Sequence, residues 1–161
     1  MQDRFSRAGD SAKAPALVCR PLTRRSLLLG LPLLAAAAPA ATYLVESLPQ
    51  YQAALADLAQ SKTVALVDVG AEWCAFCKVI DTKILPDERV AKLMQSYGLI
   101  RIDVTAMTDG HRALLRHLRV DGPPTVFIVD AASGSEHENT RSVGNFSTEN
   151  LIARLKPFAG R

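Results

Sequence analysis

No apolar run in this chain of 161 residues reaches the ~20 residues that a membrane-spanning helix needs. The longest, Leu27 to Ala38, is interrupted by Gly30 and Pro32, and no second stretch of that length follows. A permanent anchor is therefore disfavoured. Metal ligands are scarce as well. A structural zinc site wants four Cys or His ligands, whereas the chain has three of each, and Cys19 lies far from the other two cysteines. His111 and His117 stand six apart, about 240° around a helix, and cannot face one metal together. A copper carrier built on a Cys-x-x-Cys pair usually adds Met or His beside it, and neither adjoins Cys74 or Cys77. Cationic surplus is missing from most of the chain despite a pI near 8.9. Residues 1–40 hold six Lys/Arg against two Asp/Glu, and the remainder holds thirteen against fourteen, a net of −1. Nucleic acid is thus not an indicated partner.

The first forty residues have their own logic. Arg24-Arg25, the apolar run and the small residues Ala38-Pro39-Ala40 form a basic, an apolar and a cleavage region in that order, the layout of a bacterial signal peptide. The cut is expected after Ala40, since cutting after Ala38 leaves Pro39 first. Thr23-Arg24-Arg25-Ser26-Leu27-Leu28 resembles a twin-arginine signal, although Leu29 stands where that pattern often has Lys. Residues 41–161 are then one exported domain in the periplasm. Cys19 precedes the apolar run and is discarded with the leader. In an oxidising compartment the surviving pair either stays bonded or is reduced again by a dedicated donor.

What is present is Trp73-Cys74-Ala75-Phe76-Cys77-Lys78, directly after the apolar run Val64–Gly70. A Cys-x-x-Cys pair at a strand-to-helix junction suits thiol–disulfide exchange. Unsatisfied N–H groups at the helix start favour a thiolate on the first sulfur. As a staple the pair has little use, because so short a loop constrains the unfolded chain by only about 2 kcal/mol. Cys74, read as the more exposed sulfur and the nearer to the helix start, is the expected attacking thiol, and Cys77 resolves the mixed disulfide.

Around the pair, apolar periodicity predicts helices over 47–60, 74–85, 87–96, 111–118 and 147–157. It predicts strands over 64–70, 99–104, 125–129 and 136–143, the last two joined by a turn at Ala132–Ser135. Thr108-Asp109-Gly110 reads as a capping turn. Asp68 shares a strand face with Val64 and Leu66, so it is expected to be buried with a raised pKa. Trp73 reads as a platform at the rim and Phe76 as an outward-facing contact for a partner. Gly144 reads as a place of close backbone approach or as a plain turn. Glu72, Lys78 and Asp81 read as solvated charges, and the histidines carry no argument.

This order of elements, Trp-Cys-x-x-Cys-Lys after the first strand, and Pro124-Thr125 opening a later one resemble the thioredoxin-like family. Within it, the likeness is to the C-terminal periplasmic domains of DsbD-type electron transporters. It rests on Ala71-Glu72-Trp73-Cys74, Asp103-Val104-Thr105-Ala106, Leu114-Leu115 with His117-Leu118 and Val120, Gly122-Pro123-Pro124-Thr125 and Arg141-Ser142-Val143-Gly144. The resemblance covers roughly residues 46–158. It implies an α/β thioredoxin fold, a central mixed sheet flanked by helices in a single domain, and dithiol–disulfide exchange. It gives Asp68, six residues before Cys74, the role of exchanging a proton with Cys77. It also makes Pro124 the cis-proline that faces the disulfide and keeps metals off the sulfurs. Pro123 has no N–H to offer an extended substrate, so docking there relies on its carbonyl and on side chains. Catalysis is thus assigned to Cys74, Cys77 and Asp68, and substrate contact to Trp73, Phe76, Pro123 and Pro124. The redox-active disulfide is the sole expected cofactor, with no metal.

The resulting expectation is a periplasmic reductant of exported protein disulfides, working as a monomer and recharged by a membrane electron conduit of the DsbD or CcdA type. Ala75-Phe76 puts no cation between the sulfurs, which gives no cause for a strongly oxidising potential. The rivals are a periplasmic oxidase or isomerase and a non-catalytic thiol or copper-binding module.

Overall fold

Val64–Gly70, apolar but for Asp68, becomes the central strand of the sheet. Strands covered on both faces read as near-continuous apolar runs, and six of its seven residues are buried. The computed structural model describes residues 41–160; the expected leader and the expected cut after Ala40 lie outside them.

The elements are β1 (Thr42–Leu44), α1 (Leu48–Leu58), β2 (Val64–Gly70), α2 (Ala75–Val79), α3 (Glu88–Met94), β3 (Gly98–Asp103), α4 (Asp109–Leu118), β4 (Thr125–Asp130), β5 (Ser142–Val143) and α5 (Thr148–Leu155). A wide π-helical turn, Ile80–Ile84, extends α2, and a 3-10 turn, Lys156–Phe158, extends α5. The sheet order is β1-β3-β2-β4-β5. β1, β3 and β2 run parallel, and β4 and β5 are antiparallel to their neighbours. This is the expected mixed sheet with helices on both faces.

Alternation along β2 splits the core in two. Ala65, Val67 and Val69 pack with Tyr51, Leu55 and Leu58 of α1 and with Leu114 and Leu115 of α4. Val64 and Leu66 pack on the opposite face with Ile80, Ile84, Val90, Leu151 and Leu155. Asp68 belongs to this second face by the same alternation, which brings it to the side where α2 runs.

Three expectations change. β1 was not foreseen: its three residues are too few for a periodic pattern, and it exists through parallel pairing of Thr42–Leu44 with Leu99–Arg101. The helix from Cys74 is not uniform, for Leu85 N–H reaches back to Ile80 O across the widened turn before Pro86. The strand over 136–143 is reduced to Ser142–Val143 and an isolated bridge between Glu136 and Val129. There Asn139 takes φ 62°, and the Thr140 hydroxyl accepts from Ile128 N–H at 3.1 Å, replacing a ladder bond. The turn at Ala132–Ser135 stands, with Gly134 at φ 70°.

Candidate active site

The turn between β2 and α2 is pinned from the side. Thr105 Oγ1 accepts from Glu72 N–H at 2.8 Å, and Thr105 O accepts from the Trp73 indole N–H at 3.3 Å. Asp103 Oδ1 fixes Thr105 in turn by accepting its N–H at 2.8 Å. Cys74 N–H closes the turn onto Ala71 O at 3.1 Å. The Asp103-Val104-Thr105 stretch therefore holds the segment that leads into the cysteines.

Cys74 is the N-cap of α2, and its Sγ accepts the backbone N–H of Cys77 at 3.1 Å. The two sulfurs are joined as a disulfide, with Cα atoms 5.3 Å apart. Exposure separates them hardly at all, at 7% for Cys74 and 5% for Cys77. The order is the expected one, Cys74 being the more exposed residue by a small margin. Position distinguishes it instead: its sulfur sits at the capping site, where a helix N–H stabilises developing negative charge. Phe76 faces outward at 50% exposed, and Trp73 stands at the rim at 60%.

Register brings Pro124 to the same place. The last paired rung of β2 and β4 sets Val69 opposite Thr125, so Pro124 comes level with Gly70. A methyl group at Gly70 would lie 3.9 Å from Cys77 Sγ, so this strand end runs beneath the second sulfur. The Pro123–Pro124 peptide is cis, and the buried Pro124 accepts Gly144 N–H on its carbonyl at 3.0 Å. Gly144, at φ 73°, adopts a backbone that side chains disfavour. Val143, on its other side, is 70% exposed.

Asp68 is buried, as expected, and has a partner that sequence reasoning missed. Arg101 lies directly opposite it in the β2–β3 register, with Nη2 at 3.1 Å from Asp68 Oδ2. The same Arg101 nitrogen contacts Asp81 Oδ1. Asp81 keeps the solvent exposure expected from sequence, its side chain being 40% exposed, and is also one arm of a three-residue cluster. Burial pushes the Asp68 carboxyl up to about 6; Arg101 opposes that rise and the Asp81 charge adds to it. Asp68, Gly70, Lys78, Asp81, Arg101 and Asp103 line a groove of about 680 Å³ that opens behind α2. Glu72 also lines it, so the two remaining supposed surface charges, Glu72 and Lys78, border the same space.

Arg101 could be found only by pairing the strands, since an isolated arginine in an alternating strand looks solvent-facing. His111 was likewise passed over. It completes a reciprocal cap at the start of α4, accepting Thr108 N–H on Nδ1 at 3.3 Å while its own N–H goes to Thr108 Oγ1. Among the described residues, no group of three or more His, Cys, Asp or Glu is placed to hold a metal ion.

Comparison with known proteins agrees with this geometry. A thioredoxin-like family model matches residues 46–131. The thiol:disulfide interchange protein DsbD of Yersinia enterocolitica is 38% identical over 112 residues, 70% of this chain and 19% of that protein. DsbD 1 of Pseudomonas aeruginosa is 35% identical over the same length and shares. The chain thus spans about a fifth of the length of these relatives. The crystal structure of the reduced C-terminal domain of Neisseria meningitidis DsbD superposes with a TM-score of 0.61 at 26% identity, covering 70% of this chain and 97% of that domain. A solution structure of a thioredoxin from Thermus thermophilus, at 23% identity and a TM-score of 0.59, shares the fold. With its disulfide at the head of α2 and the family model matched from α1 through β4, this chain belongs to the thioredoxin-like family.

Proposed function

We propose that this protein is an exported thiol–disulfide oxidoreductase that reduces disulfides of periplasmic proteins and is recharged by a membrane electron donor of the DsbD or CcdA type. The observation that carries the reading is the Cys74 sulfur at the capping position of α2, holding the Cys77 N–H at 3.1 Å. The relatives' name, thiol:disulfide interchange protein, supports the reaction class. Twin arginines Arg24-Arg25 ahead of the apolar run support export.

The reaction proceeds in two exchanges. In the reduced protein the Cys74 thiolate attacks a substrate disulfide, forming one S–S bond to the substrate and releasing one substrate thiolate. Cys77 then gives its proton to Asp68 and attacks Cys74 Sγ, which expels the second substrate sulfur. The substrate gains two electrons, and Cys74–Cys77 is left oxidised. Asp68 lies two residues along the strand from Gly70, about 7 Å of strand rise, a separation at which the transfer needs a bridging water. A carboxyl titrating at about 6 is mostly ionised at neutral pH and ready to accept it. Exposed Trp73 and Phe76 offer apolar contact to the substrate beside Pro123 and Pro124, where Pro123 contributes a carbonyl and no N–H.

Insulin-disulfide reduction tests the chemistry. The Cys74→Ser variant is expected to lose all detectable catalysis, and Cys77→Ser to accumulate a mixed disulfide with substrate. A Cys74→Ser variant as active as the parent overturns the assignment. Titration against glutathione tests direction. A potential near the roughly −270 mV of thioredoxin supports a reductant, and one near the roughly −120 mV of DsbA replaces it with an oxidase.

A further inference from the structure

One guanidinium ties together the two backbone segments that border the active site. The first leaves α4 at Arg119, where φ is 52°, and runs through Gly122 to Pro123 and Pro124. The second is Arg141 to Gly144, which carries β5 and the exposed Val143. Arg141 Nη2 donates to Leu118 O at 3.0 Å and Nη1 to Arg119 O at 3.2 Å, both at the root of the first segment. Its Nε donates to Glu136 Oε1 at 2.9 Å, and its guanidinium carbon stands 4.3 Å from the centre of the buried Phe127 ring in β4. The planar fork thus spans two carbonyls and a carboxylate while its face lies on a core ring, a geometry that a single ammonium does not reproduce. At their far ends the two segments meet again, where Gly144 N–H donates to Pro124 O at 3.0 Å. Proline has no N–H to return, so that rung is a single bond, and the spacing of the pair depends on what holds them further back.

We propose that Arg141 is a positioning residue for substrate docking: by holding the end of α4 against the root of β5, it sets the spacing between Pro123–Pro124 and Val143–Gly144, and with it the edge on which a protein substrate lies beside Cys74. The inference rests on the reductase reading above and concerns the docking of a polypeptide, not the sulfur chemistry. The hydrogen bonds of Arg141 run to Leu118, Arg119 and Glu136 and to neither cysteine. Its loss should therefore weaken binding while the reactivity of Cys74 stays. A small disulfide needs only the sulfur, whereas a protein disulfide needs the edge as well. A purely structural arginine would lower stability without separating the two kinds of substrate.

The test compares insulin with dithiobisnitrobenzoate, a small aromatic disulfide, as substrates of the full-length protein, alongside hydrogen exchange at the Gly144 amide. Arg141→Gln is expected to raise the insulin KM about tenfold, with kcat and the rate toward dithiobisnitrobenzoate within about twofold of wild type. Exchange at Gly144 N–H should quicken by about tenfold as its bond to Pro124 loosens. Arg141→Lys keeps the charge but cannot span both carbonyls and Glu136. It is expected to fall between wild type and Arg141→Gln, and it carries the test if Arg141→Gln does not fold. Glu136→Gln leaves the carbonyl bonds in place and should keep the insulin KM within about twofold of wild type. Equal losses toward insulin and the small disulfide overturn the proposal, as do an unchanged KM and unchanged Gly144 exchange in the arginine variants. Failure of the reductase reading shows separately, as a wild-type protein that does not reduce insulin; Gly144 exchange in the same variants then still decides whether Arg141 holds the edge.

Discussion

Gly98 opens β3 at a point where only hydrogen fits. A Cβ built there would lie 2.3 Å from Leu58 Cδ2 and 2.6 Å from Cδ1. Leu58 is 1% exposed at the end of α1 and packed within the core on that face, so it has no open space to swing into. Overpacking of this kind costs about 1–3 kcal/mol. Gly98→Ala is expected to lower the unfolding free energy by that amount, read as a lower urea midpoint at an unchanged denaturant slope. Combining it with Leu58→Ala should cost clearly less than the sum of the single changes, because the clash partner is gone. At the same scale, Arg101 shows what a linear reading misses. Its two partners lie 20 and 33 positions away in the chain, and neither spacing falls on a helix face. Asp68, by contrast, was legible because an acid in an otherwise apolar strand has to be buried with it. Cys74 and Cys77 were legible because their spacing and setting allow little else.

Elements were legible in proportion to their length and regularity. β2 and β4 are continuous apolar runs between turn residues, and the structure has them within a residue of the expected ends. β1 has three residues and the segment 136–143 has its ladder interrupted by Thr140, so pairing partners rather than local pattern decide both. α4 was recognisable by its capping turn, and its stability depends on it. Thr108 Oγ1 accepts the His111 N–H at 3.2 Å, and His111 Nδ1 accepts the Thr108 N–H in return. At the far end, Arg141 donates to Leu118 O at 3.0 Å and Arg119 O at 3.2 Å, satisfying carbonyls that the helix leaves open. Thr108→Ala is expected to cost about 1 kcal/mol of stability, read as a lower thermal midpoint. Thr108→Ser, which keeps the oxygen, should recover most of it. Because the lost hydrogen bonds run between Thr108 and His111 and involve neither cysteine, the reduction rate per folded molecule should not change.

At the scale of the whole molecule, the buried acid couples folding to pH in a sense opposite to an ordinary surface ion pair. The Asp68 carboxyl titrates at about 6 in the folded chain against 3.8 for an unperturbed one. Between those values the folded state holds a proton that the unfolded state has released. Stability therefore falls as pH rises from about 4 to about 6 and levels off above. The size of the loss is on the order of 3 kcal/mol. Asp87, Asp103, Asp130 and Glu149 have lowered values and act the other way, gaining stability as they ionise. The total pH curve mixes both groups, so the informative quantity is the difference between Asp68→Asn and wild type. That difference should grow in favour of the asparagine variant from pH 4 to pH 6 and stay constant from pH 7 upward, with both proteins in the disulfide form. A difference independent of pH would mean that Asp68 does not carry a proton in the folded state, and would remove it as a relay for Cys77. In the proposed relay, the burial that would let the carboxyl take the Cys77 proton near neutral pH is the same burial that costs the fold stability there. A stabilised Asp68→Asn protein that resolves its mixed disulfide slowly would therefore report both consequences of one charge placed beneath the active-site helix.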